Sequence, residues 1–310
     1  MKELIQLKSF PIQATIDILI KDKTTKKNII WATNTYKEFG EEYADDKQMT
    51  TIALIGLNPI MLQPRIMKAL ELQQERTKSH AEVFTPSWIC NTMNNHCDEE
   101  WFGRKDIFNT QKGDTWESIA EKIIFPKDKA WQQYVDSRRL EITCGEAPYI
   151  VSRYDASTGE IIDIKDRIGI LDRKLRIVNE NTDNEVDWFK WTVRAFQSVY
   201  GYEYQGDNLL IARINLLMTF VDYLYAKWGR EAEKKELRKI ANIIVWNLWQ
   251  MDGLAGTVPL GEPEDIAYQY SLFNLMETKD EEAREKAPKC KIYDWRAEKS
   301  ILYESLKKES

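Results

Sequence analysis

One stretch decides the fold of this chain: Arg139-Leu140-Glu141-Ile142-Thr143-Cys144-Gly145-Glu146-Ala147-Pro148-Tyr149-Ile150. An apolar and β-branched run enters a turn at Cys144-Gly145, and a second apolar run follows Pro148. This pattern predicts a strand that ends in a small-residue turn. Because open α/β sheets bind ligands at the carboxyl ends of their strands, we predict a ligand site at this turn.

Two later stretches also place a carboxylate after a strand. Val199-Tyr200-Gly201-Tyr202-Glu203 predicts a second strand, and Leu209 to Tyr225 predicts an amphipathic helix behind it. Ile240 to Trp246 predicts a short buried strand, with Asp252 shortly after it. In a nucleotide-type site, the carboxylate after the second strand accepts hydrogen bonds from ribose hydroxyls, and a polar residue one strand further accepts from an adenine amino group. Glu203 and Asp252 suit these roles, although each can equally be an ordinary loop carboxylate.

The order of these elements predicts an α/β fold built on a Rossmann-like, doubly wound sheet. Residues 1–78 are predicted to form an N-terminal α+β extension, residues 79–300 the sheet domain, and residues 301–310 a charged tail. Residues 152–196 are predicted to be an insertion, formed by a hairpin and a crossing segment. The smaller predicted elements are strands at 12–20 and 29–32, β-like runs at 160–164 and 168–171, and helices at 60–76, 114–124, 128–135, 185–199, 230–239 and 277–286. One further helix is predicted to begin at Pro86, capped by Thr85 or Ser87.

The composition is that of an ordinary soluble globular protein. The chain has 310 residues, of which 43% are hydrophobic and 30% charged. Its four scattered cysteines do not form a disulfide scaffold, so we expect a reducing cytoplasm. The sequence shows no signal-peptide layout and no apolar run of the ~20 residues that span a bilayer, so no membrane partner is expected. A net charge of −6 argues against nucleic-acid binding over the whole surface. It does not exclude DNA binding in a local basic groove.

Two groups of residues allow alternative interpretations. The lysines within residues 21–27 could contact phosphate, but a solvated hairpin turn is the interpretation that we favour. Cys90, His96 and Cys97 are of metal-ligand types, yet Cys90 and Cys97 fall on one face of a predicted helix. Because no second Cys/His pair at zinc spacing accompanies them, a packed helical face is favoured and no metal site is predicted.

Four segments follow one another in an order that is typical of a known family. They are Val83-Phe84-Thr85-Pro86-Ser87-Trp88-Ile89, Leu140 to Ala147, Tyr200-Gly201-Tyr202-Glu203 with Leu210-Ile211-Ala212-Arg213-Ile214-Asn215-Leu216, and Ile240 to Ile244 through Asp252. These segments resemble the motifs of adenine-N6 DNA methyltransferases from restriction–modification systems, notably the fused or type I-like subgroup. The first segment resembles that family's Phe-Thr-Pro motif, and the second resembles its Asp-Pro-Ala-Cys-Gly-Ser-Gly motif, called the first motif below. The third and fourth segments resemble its second and third motifs. The resemblance covers roughly residues 50–300 and is most specific in the second motif.

The resemblance implies a class I methyltransferase fold with S-adenosylmethionine as cofactor and double-stranded DNA as partner. In the family, the Phe-Thr-Pro segment contacts the methionine end of the cofactor, and the glutamate of the second motif binds its ribose. Carried over to this sequence, the expected cofactor-binding residues are Phe84, Thr85, Pro86, Thr143, Cys144, Gly145, Glu146, Ala147, Pro148, Glu203 and Asp252.

Three departures weaken the first motif of the resemblance. Glu141 stands in place of Asp, Ile142 in place of Pro, and Ala147 in place of the last Gly. Ala147 puts a methyl group where the backbone is expected to lie close to the ligand, so we expect altered or weaker cofactor affinity. The first and second motifs are also further apart than in the family, consistent with the predicted insertion.

The larger departure is the family's catalytic motif, Asn/Asp-Pro-Pro-Tyr/Phe, which holds and stacks on a flipped adenine. Nothing after Asp252 matches it. Glu146-Ala147-Pro148-Tyr149 has a similar shape and could be a degenerate version, but the ribose-binding motif follows it, which argues against that interpretation. No catalytic residue is therefore assigned.

Two functions from different classes follow from these observations. The first is a cofactor-binding component of an adenine-N6 DNA methyltransferase that needs a second methyltransferase chain or a specificity subunit for DNA methylation. The alternative is a non-catalytic, degenerate methyltransferase-fold protein that binds cofactor, DNA or a partner protein. A third idea is a different reaction on the same cofactor, carried out by Glu146, Tyr149 or Asp172. Whether the chain is an enzyme stays open at the level of sequence.

Overall fold

The computed structural model describes residues 4–68, 73–74, 76–77, 85–260 and 287–308. The helices are α1 (Ile16–Leu19), α2 (Thr51–Ile55), α3 (Ser87–Phe102), α4 (Trp131–Val135), α5 (Ile170–Asn181), α6 (Glu185–Gln197), α7 (Gly206–Trp228) and α8 (Lys234–Asn247). The strands are β1 (Asn109–Lys112), β2 (Thr115–Ser118), β3 (Arg139–Glu141), β4 (Val199–Glu203), β5 (Leu248–Gln250), β6 (Lys291–Asp294) and β7 (Lys299–Leu302). Short 3-10 helices lie at Lys37–Phe39, Glu41–Tyr43, Arg65–Met67, Ile164–Asp166 and Tyr303–Lys308.

The centre of the fold is a three-stranded parallel sheet in the order β3-β4-β5. Arg139 pairs with Val199, and Gly201 pairs with Leu248. Every residue of β4 is buried, as expected for a central parallel strand. Helices α5 and α6 connect β3 to β4, and α7 and α8 connect β4 to β5. The predicted mixed α/β class and the first two strands are confirmed, and the sheet is compatible with a Rossmann-like fold.

The helix α7 packs along one face of this sheet and forms the middle of the main hydrophobic core. It is long and apolar enough to cross a membrane by length and composition, but 72% of that apolar window is buried inside the protein. Its apolar surface is therefore largely accounted for by packing in the core. Gly229, with a φ of 65°, ends the helix in the left-handed conformation that glycine adopts without strain.

The opposite face of the sheet is covered by the antiparallel hairpin β6–β7. Tyr200 and Tyr202 alternate onto this face and pack with Trp249, Ile292 and Tyr303 in a second apolar cluster. A doubly wound sheet carries helices on both faces, whereas within the described residues this face carries a hairpin.

The N-terminal segment shares the main core with the sheet. The backbone N–H of Gly206 donates to the carbonyl of Trp31 (2.9 Å), and the Gln250 side chain makes two hydrogen bonds with the backbone of Ile30 (2.9 Å each). The predicted strand at 12–20 is wrong, because Ile16–Leu19 forms α1. The predicted polar turn after it is confirmed by an antiparallel bridge between Lys21 and Asn28.

Several other predicted elements differ in the structure. The described part of 60–76 is not one helix, because the chain after Pro64 forms only the 3-10 turn Arg65–Met67 before residues 73–74 and 76–77 become helical. Residues 114–124 do not form a helix, because β1 and β2 make a hairpin around Gly113, whose φ is 59°. The helix predicted at 128–135 is confirmed for Trp131–Val135, which form α4. Predicted helix 277–286 lies outside the described residues.

The strand predicted at Ile240 to Trp246 is also wrong. Leu237, Ile240, Ala241 and Ile244 are buried at helical spacing and belong to α8, which begins within the charged stretch predicted to be helical. The third strand is β5, which begins directly after this helix and still precedes Asp252 by two residues. A short run of β-branched residues cannot be distinguished from a buried helix by periodicity alone.

Residues 152–196 form most of the crossover between β3 and β4. A bridge between Tyr154 and Ile161 closes the predicted hairpin. The predicted β-like runs at 160–164 and 168–171 are not strands, because a 3-10 turn begins at Ile164 and α5 begins at Ile170. The predicted helix beginning at Glu185 is confirmed as α6. In the predicted charged tail, residues 301–302 belong to β7 and residues 303–308 form a 3-10 helix.

Candidate functional site

The turn after β3 is tightly coiled. Thr143, Gly145 and Ala147 have φ values of 47°, 53° and 65°. For Thr143 and Ala147, which are not glycine, this left-handed conformation costs roughly 1 kcal/mol or more each. The surrounding contacts compensate for that cost, since the N–H of Cys144 donates to the carbonyl of Tyr202 (2.8 Å) on the neighbouring strand.

This turn meets the carboxylate that follows the second strand. The backbone N–H of Gly145 donates to Oε2 of Glu203 (2.8 Å), and Oε1 of Glu203 accepts from the N–H of Gln205 (3.1 Å). Glu203 is only 8% exposed. Two residues selected from the sequence for a ligand site are therefore in direct contact at the carboxyl edge of adjacent parallel strands.

Gly201, in the centre of β4, permits this contact. A Cβ at this position would lie 3.2 Å from Sγ and 3.3 Å from Cβ of Cys144, and 3.4 Å from Cδ1 of Ile150. Its backbone conformation is ordinary, so the glycine serves close packing and not a special dihedral angle. The glycine of the Tyr-Gly-Tyr-Glu motif thus lets the turn of the first motif lie against the second strand.

A second carboxylate, that of Glu141, lies beneath the same turn. It accepts hydrogen bonds from the backbone N–H groups of Tyr149 (3.5 Å) and Ile150 (3.2 Å). Burial raises the pKa of Glu141 well above its ordinary value against the effect of these two bonds, and the charge of Glu203 raises it further. Because burial is the largest cause, Glu141 is favoured in its neutral form and belongs to the packing beneath the turn.

The thiol of Cys144 has a structural role in this arrangement. It is buried against β4, and burial, with the charges of Glu141 and Glu203, raises its pKa well above the ordinary value. A thiol that stays protonated is a poor nucleophile. Cys144 therefore packs the turn and does not supply covalent chemistry.

The Thr85-Pro86 segment also reaches this region, whereas Phe84 lies outside the described residues. Thr85 lies close to the Tyr149 side chain, and α3 begins directly after Pro86. The predicted cap is wrong: neither Thr85 nor Ser87 caps the helix with its side chain, and the N–H of Ser87 donates instead to Asp155 (2.8 Å). The Thr85-Pro86 segment and the turn of the first motif are nevertheless adjacent in space.

Glu146 is buried and holds neighbouring segments together, so it is not an accessible acid. Its carboxylate accepts from the backbone N–H of Arg65 (2.7 Å) and from the Tyr154 hydroxyl (2.6 Å). Nδ2 of Asn215, from the Ala-Arg-x-Asn-Leu segment of α7, donates to the Glu146 carbonyl (3.2 Å) and to the Tyr154 oxygen (3.1 Å). These contacts argue against Glu146 as a catalytic acceptor, and they join the second motif to the first. Pro148, next in the turn, is half-buried.

Asp172, which was considered with Glu146 and Tyr149 for a different reaction, is fully buried. Its carboxylate accepts from the N–H (2.9 Å) and the hydroxyl (3.3 Å) of Ser152, and Arg167 lies 3.9 Å away. Burial raises its pKa to about 6 in spite of these partners. The described contacts make Asp172 part of the crossover packing.

Asp252 follows β5 as predicted, but its carboxylate is used by its own turn. Oδ1 accepts from the backbone N–H groups of Leu254 (2.9 Å) and Ala255 (3.0 Å). None of the described hydrogen bonds joins Asp252 to Gly145 or Glu203. The structure therefore brings together the first two motifs more closely than the third.

A buried polar cluster at the start of α7 is not among the features predicted from sequence. Oδ2 of Asp207 lies 3.0 Å from Nζ of Lys68 and 3.0 Å from Nη1 of Arg76, and accepts from the Tyr36 hydroxyl (3.1 Å). Burial alone would raise the pKa of Asp207, but the Lys68 and Arg76 charges lower it far below its ordinary value. The available signal is an aspartate directly after Gly206, at the head of an otherwise apolar helix.

The residues considered for metal binding do not converge. Cys90 is buried in the packed face of α3, whereas His96 is 67% exposed at its side chain and lies 3.5 Å from Glu100. Within the described ranges, no group of three or more potential metal-ligating side chains is found.

Comparison of the chain with protein-family models, with curated proteins and with solved structures gives no match.

Proposed function

We propose that this chain is the S-adenosylmethionine-binding component of an adenine-N6 DNA methyltransferase of the restriction–modification type. One observation carries the proposal: the Gly145 N–H lies 2.8 Å from the Glu203 carboxylate, between the ends of two adjacent parallel strands. That pairing joins the backbone turn and the acid that a ribose-containing ligand requires, in the order that the sequence motifs specify. The motif resemblance supplies the reaction class.

The residues of this edge suit the charge of S-adenosylmethionine. Its sulfonium and ammonium groups are cations, and Glu203 provides a carboxylate at this edge. Glu203 would hold the ribose hydroxyls, exchanging its hydrogen bond from Gly145 for donors on the ligand. When bound, the cofactor supplies an electrophilic methyl group. The chain's own contribution is to bind and orient it, and we assign none of the described residues to the target adenine.

The proposal includes a second chain that provides the adenine-binding motif. The sequence after Asp252 does not match that motif. Among the described residues, β3 pairs only with β4, so its other edge is open. Leu140 and Ile142 beside that edge are 46% and 62% exposed. An open, apolar strand edge is where a further strand can pair, which supports completion of the sheet by a partner protein.

Calorimetric titration with S-adenosylmethionine tests the cofactor assignment. The Glu203→Gln variant should bind roughly 10- to 100-fold more weakly, because a hydrogen bond to a charged acceptor contributes about 1.5–3 kcal/mol. Glu160→Gln, at an exposed position, is the matched control and should bind like wild type. Equal affinity of wild type and Glu203→Gln would contradict the proposed site.

Methylation of DNA tests the enzyme assignment separately. The chain is mixed with labelled cofactor and duplex DNA, alone and with the product of the adjacent gene. We expect transfer only in the mixture. Intact cofactor binding without transfer in either sample would overturn the catalytic part of the proposal.

A non-catalytic, degenerate methyltransferase-fold protein is the second candidate. The observation that favours it is Asp252, whose carboxylate is engaged by Leu254 and Ala255 of its own turn and not directed to a shared ligand site. Absence of heat of binding with millimolar S-adenosylmethionine would support this candidate over the first.

A further inference from the structure

The lysine-rich loop at residues 21–27 lies beside two distant parts of the chain. Nζ of Lys23 is 3.4 Å from Oδ1 of Asn242 on α8 and 5.5 Å from the centre of the Trp246 ring. The backbone N–H of Lys291, the first residue of β6, donates to the Thr24 hydroxyl (3.0 Å). Three segments that are far apart in sequence therefore form one continuous surface.

This surface collects positive charge. Its cationic side chains are defined here as the basic face: Lys21, Lys23, Lys26, Lys27, Arg238 and Lys291. All of them are exposed except Lys23, which is half-buried against Trp246. No ion pair joins Lys26, Lys27 or Lys291 to a described carboxylate. Burial, together with the charge of the buried Arg213, lowers the pKa of Lys23.

Among the described ion pairs, only that of Arg238 with Asp17 involves a cation of the basic face. Asp22 is buried and is used by the loop itself, accepting from the N–H groups of Thr24 (3.2 Å) and Thr25 (2.8 Å). Asp17 is exposed and lies 3.7 Å from Arg238. The loop is thus held in shape by its own aspartate, while Lys21, Lys26 and Lys27 are exposed.

We propose that the basic face binds the phosphate groups of duplex DNA. The whole chain carries a net charge of −6, so a polyanion is repelled by most of the molecule and attracted where cations are concentrated. The choice of DNA among polyanions rests on the proposed function. The described contacts of the basic face do not include Gly145 or Glu203, so DNA binding at this face and cofactor binding can be tested independently.

Fluorescence anisotropy of a labelled DNA duplex, measured across a series of KCl concentrations, tests this inference on the full chain. The variant Lys26→Glu/Lys27→Glu/Lys291→Glu changes three exposed side chains of the basic face. It should bind at least 10-fold more weakly than wild type. The slope of log affinity against log salt should fall by about 3, because each phosphate that is no longer neutralised lowers it by about one unit.

Lys122→Glu/Lys127→Glu/Lys165→Glu is the matched control, because it makes the same change in net charge at exposed positions outside the basic face. It should keep affinity within about 3-fold of wild type and keep the salt slope. Equal losses in both triple variants, or a loss in neither, would overturn the inference. Competition by polyglutamate as effective as that by unlabelled duplex would also overturn it, in favour of an acidic protein partner.

The outcome does not depend on the cofactor experiment. If S-adenosylmethionine fails to bind but the basic-face variant still loses DNA affinity selectively, the proposed function fails and the DNA surface stands. If the cofactor binds and both triple variants bind DNA like wild type, the DNA surface fails and the cofactor site stands.

Discussion

Glu203 and Asp207 are four residues apart, yet the structure satisfies their carboxylates in different ways. Glu203, at the end of β4, accepts from the backbone N–H groups of Gly145 and Gln205. Asp207, in the first turn of α7, lies between Lys68 and Arg76. Backbone N–H donors can be exchanged for ligand hydroxyls at modest cost, whereas a buried pair of cations cannot be left without their anion. The first arrangement suits a binding site, and the second fixes the N-terminal segment to the sheet.

Removal of the Asp207 carboxylate should have the largest effect. In Asp207→Ala, the buried Lys68 and Arg76 lose this anion, and the free energy of unfolding should fall by about 3–5 kcal/mol. Urea denaturation followed by tryptophan fluorescence measures the loss. Asp128→Ala, at an exposed site, should change stability by less than about 0.5 kcal/mol. A loss below about 1 kcal/mol in Asp207→Ala would show that the ion pairs of Asp207 do not fix the N-terminal segment to the sheet.

Glycine substitutions extend the same comparison to the backbone. A Cβ at Gly206, beside Asp207, would lie 2.0 Å from the carbonyl oxygen of Ile30, whereas a Cβ at Gly201, beneath the turn, would lie 3.2 Å from Sγ of Cys144. Gly206→Ala should therefore cost about 3 kcal/mol and Gly201→Ala about 1 kcal/mol in urea denaturation. Equal costs would mean that the N-terminal segment moves away from Gly206 without resistance.

The order of the two strands and the acid that follows the second can be predicted from sequence. Val199 to Glu203 is apolar and bounded by turns, and Glu203 stands out because the carboxyl end of a parallel strand is where such sheets bind ligands. The third strand is wrongly predicted within α8, because Ile240 to Trp246 satisfies strand and helix patterns alike. For a similar reason, the sequence predicts a strand over residues 12–20, where the structure has the short helix α1.

The contacts that shape the site depend on tertiary structure. Glu146 is predicted from its position in the turn, but its partners Arg65 and Tyr154 come from segments with no motif. The Asp207 cluster joins residues 36, 68 and 76 to α7, and no local pattern relates those positions. Partners separated by more than a hundred residues leave no periodic signal in one sequence.

The pH dependence of stability should have opposite signs in the two regions. Glu141, at the edge with Glu203, has a raised pKa in the folded protein, so its contribution is fully present below its unfolded pKa and is lost as pH rises through the folded value. Asp207 has a lowered pKa, so its contribution is present above its unfolded pKa and is lost as pH falls through the folded value.

Urea denaturation across a pH series checks these signs. Relative to wild type, Glu141→Gln should gain stability as the pH is raised above the ordinary glutamate range, and Asp207→Asn should show its greatest deficit above the ordinary aspartate range. The deficit of Asp207→Asn should shrink as the solution is acidified. A deficit that grows on acidification would contradict the ion-pair assignment of Asp207.

The smallest effect is expected at Ala147, which the family resemblance marks as an obstacle to the cofactor. Its φ of 65° would suit glycine, but its methyl group is fully buried in the hydrophobic core. Ala147→Gly relieves about 1 kcal/mol of backbone strain, loses about 0.8 kcal/mol of methyl burial, and gains freedom in the unfolded chain, so stability should change by less than about 1 kcal/mol. Affinity for S-adenosylmethionine should stay within about 3-fold of wild type, because the methyl group packs inside the protein and not against a ligand. A 10-fold increase in calorimetric affinity, without such an increase in the control Ala156→Gly, would show instead that this methyl group weakens the site formed with Glu203.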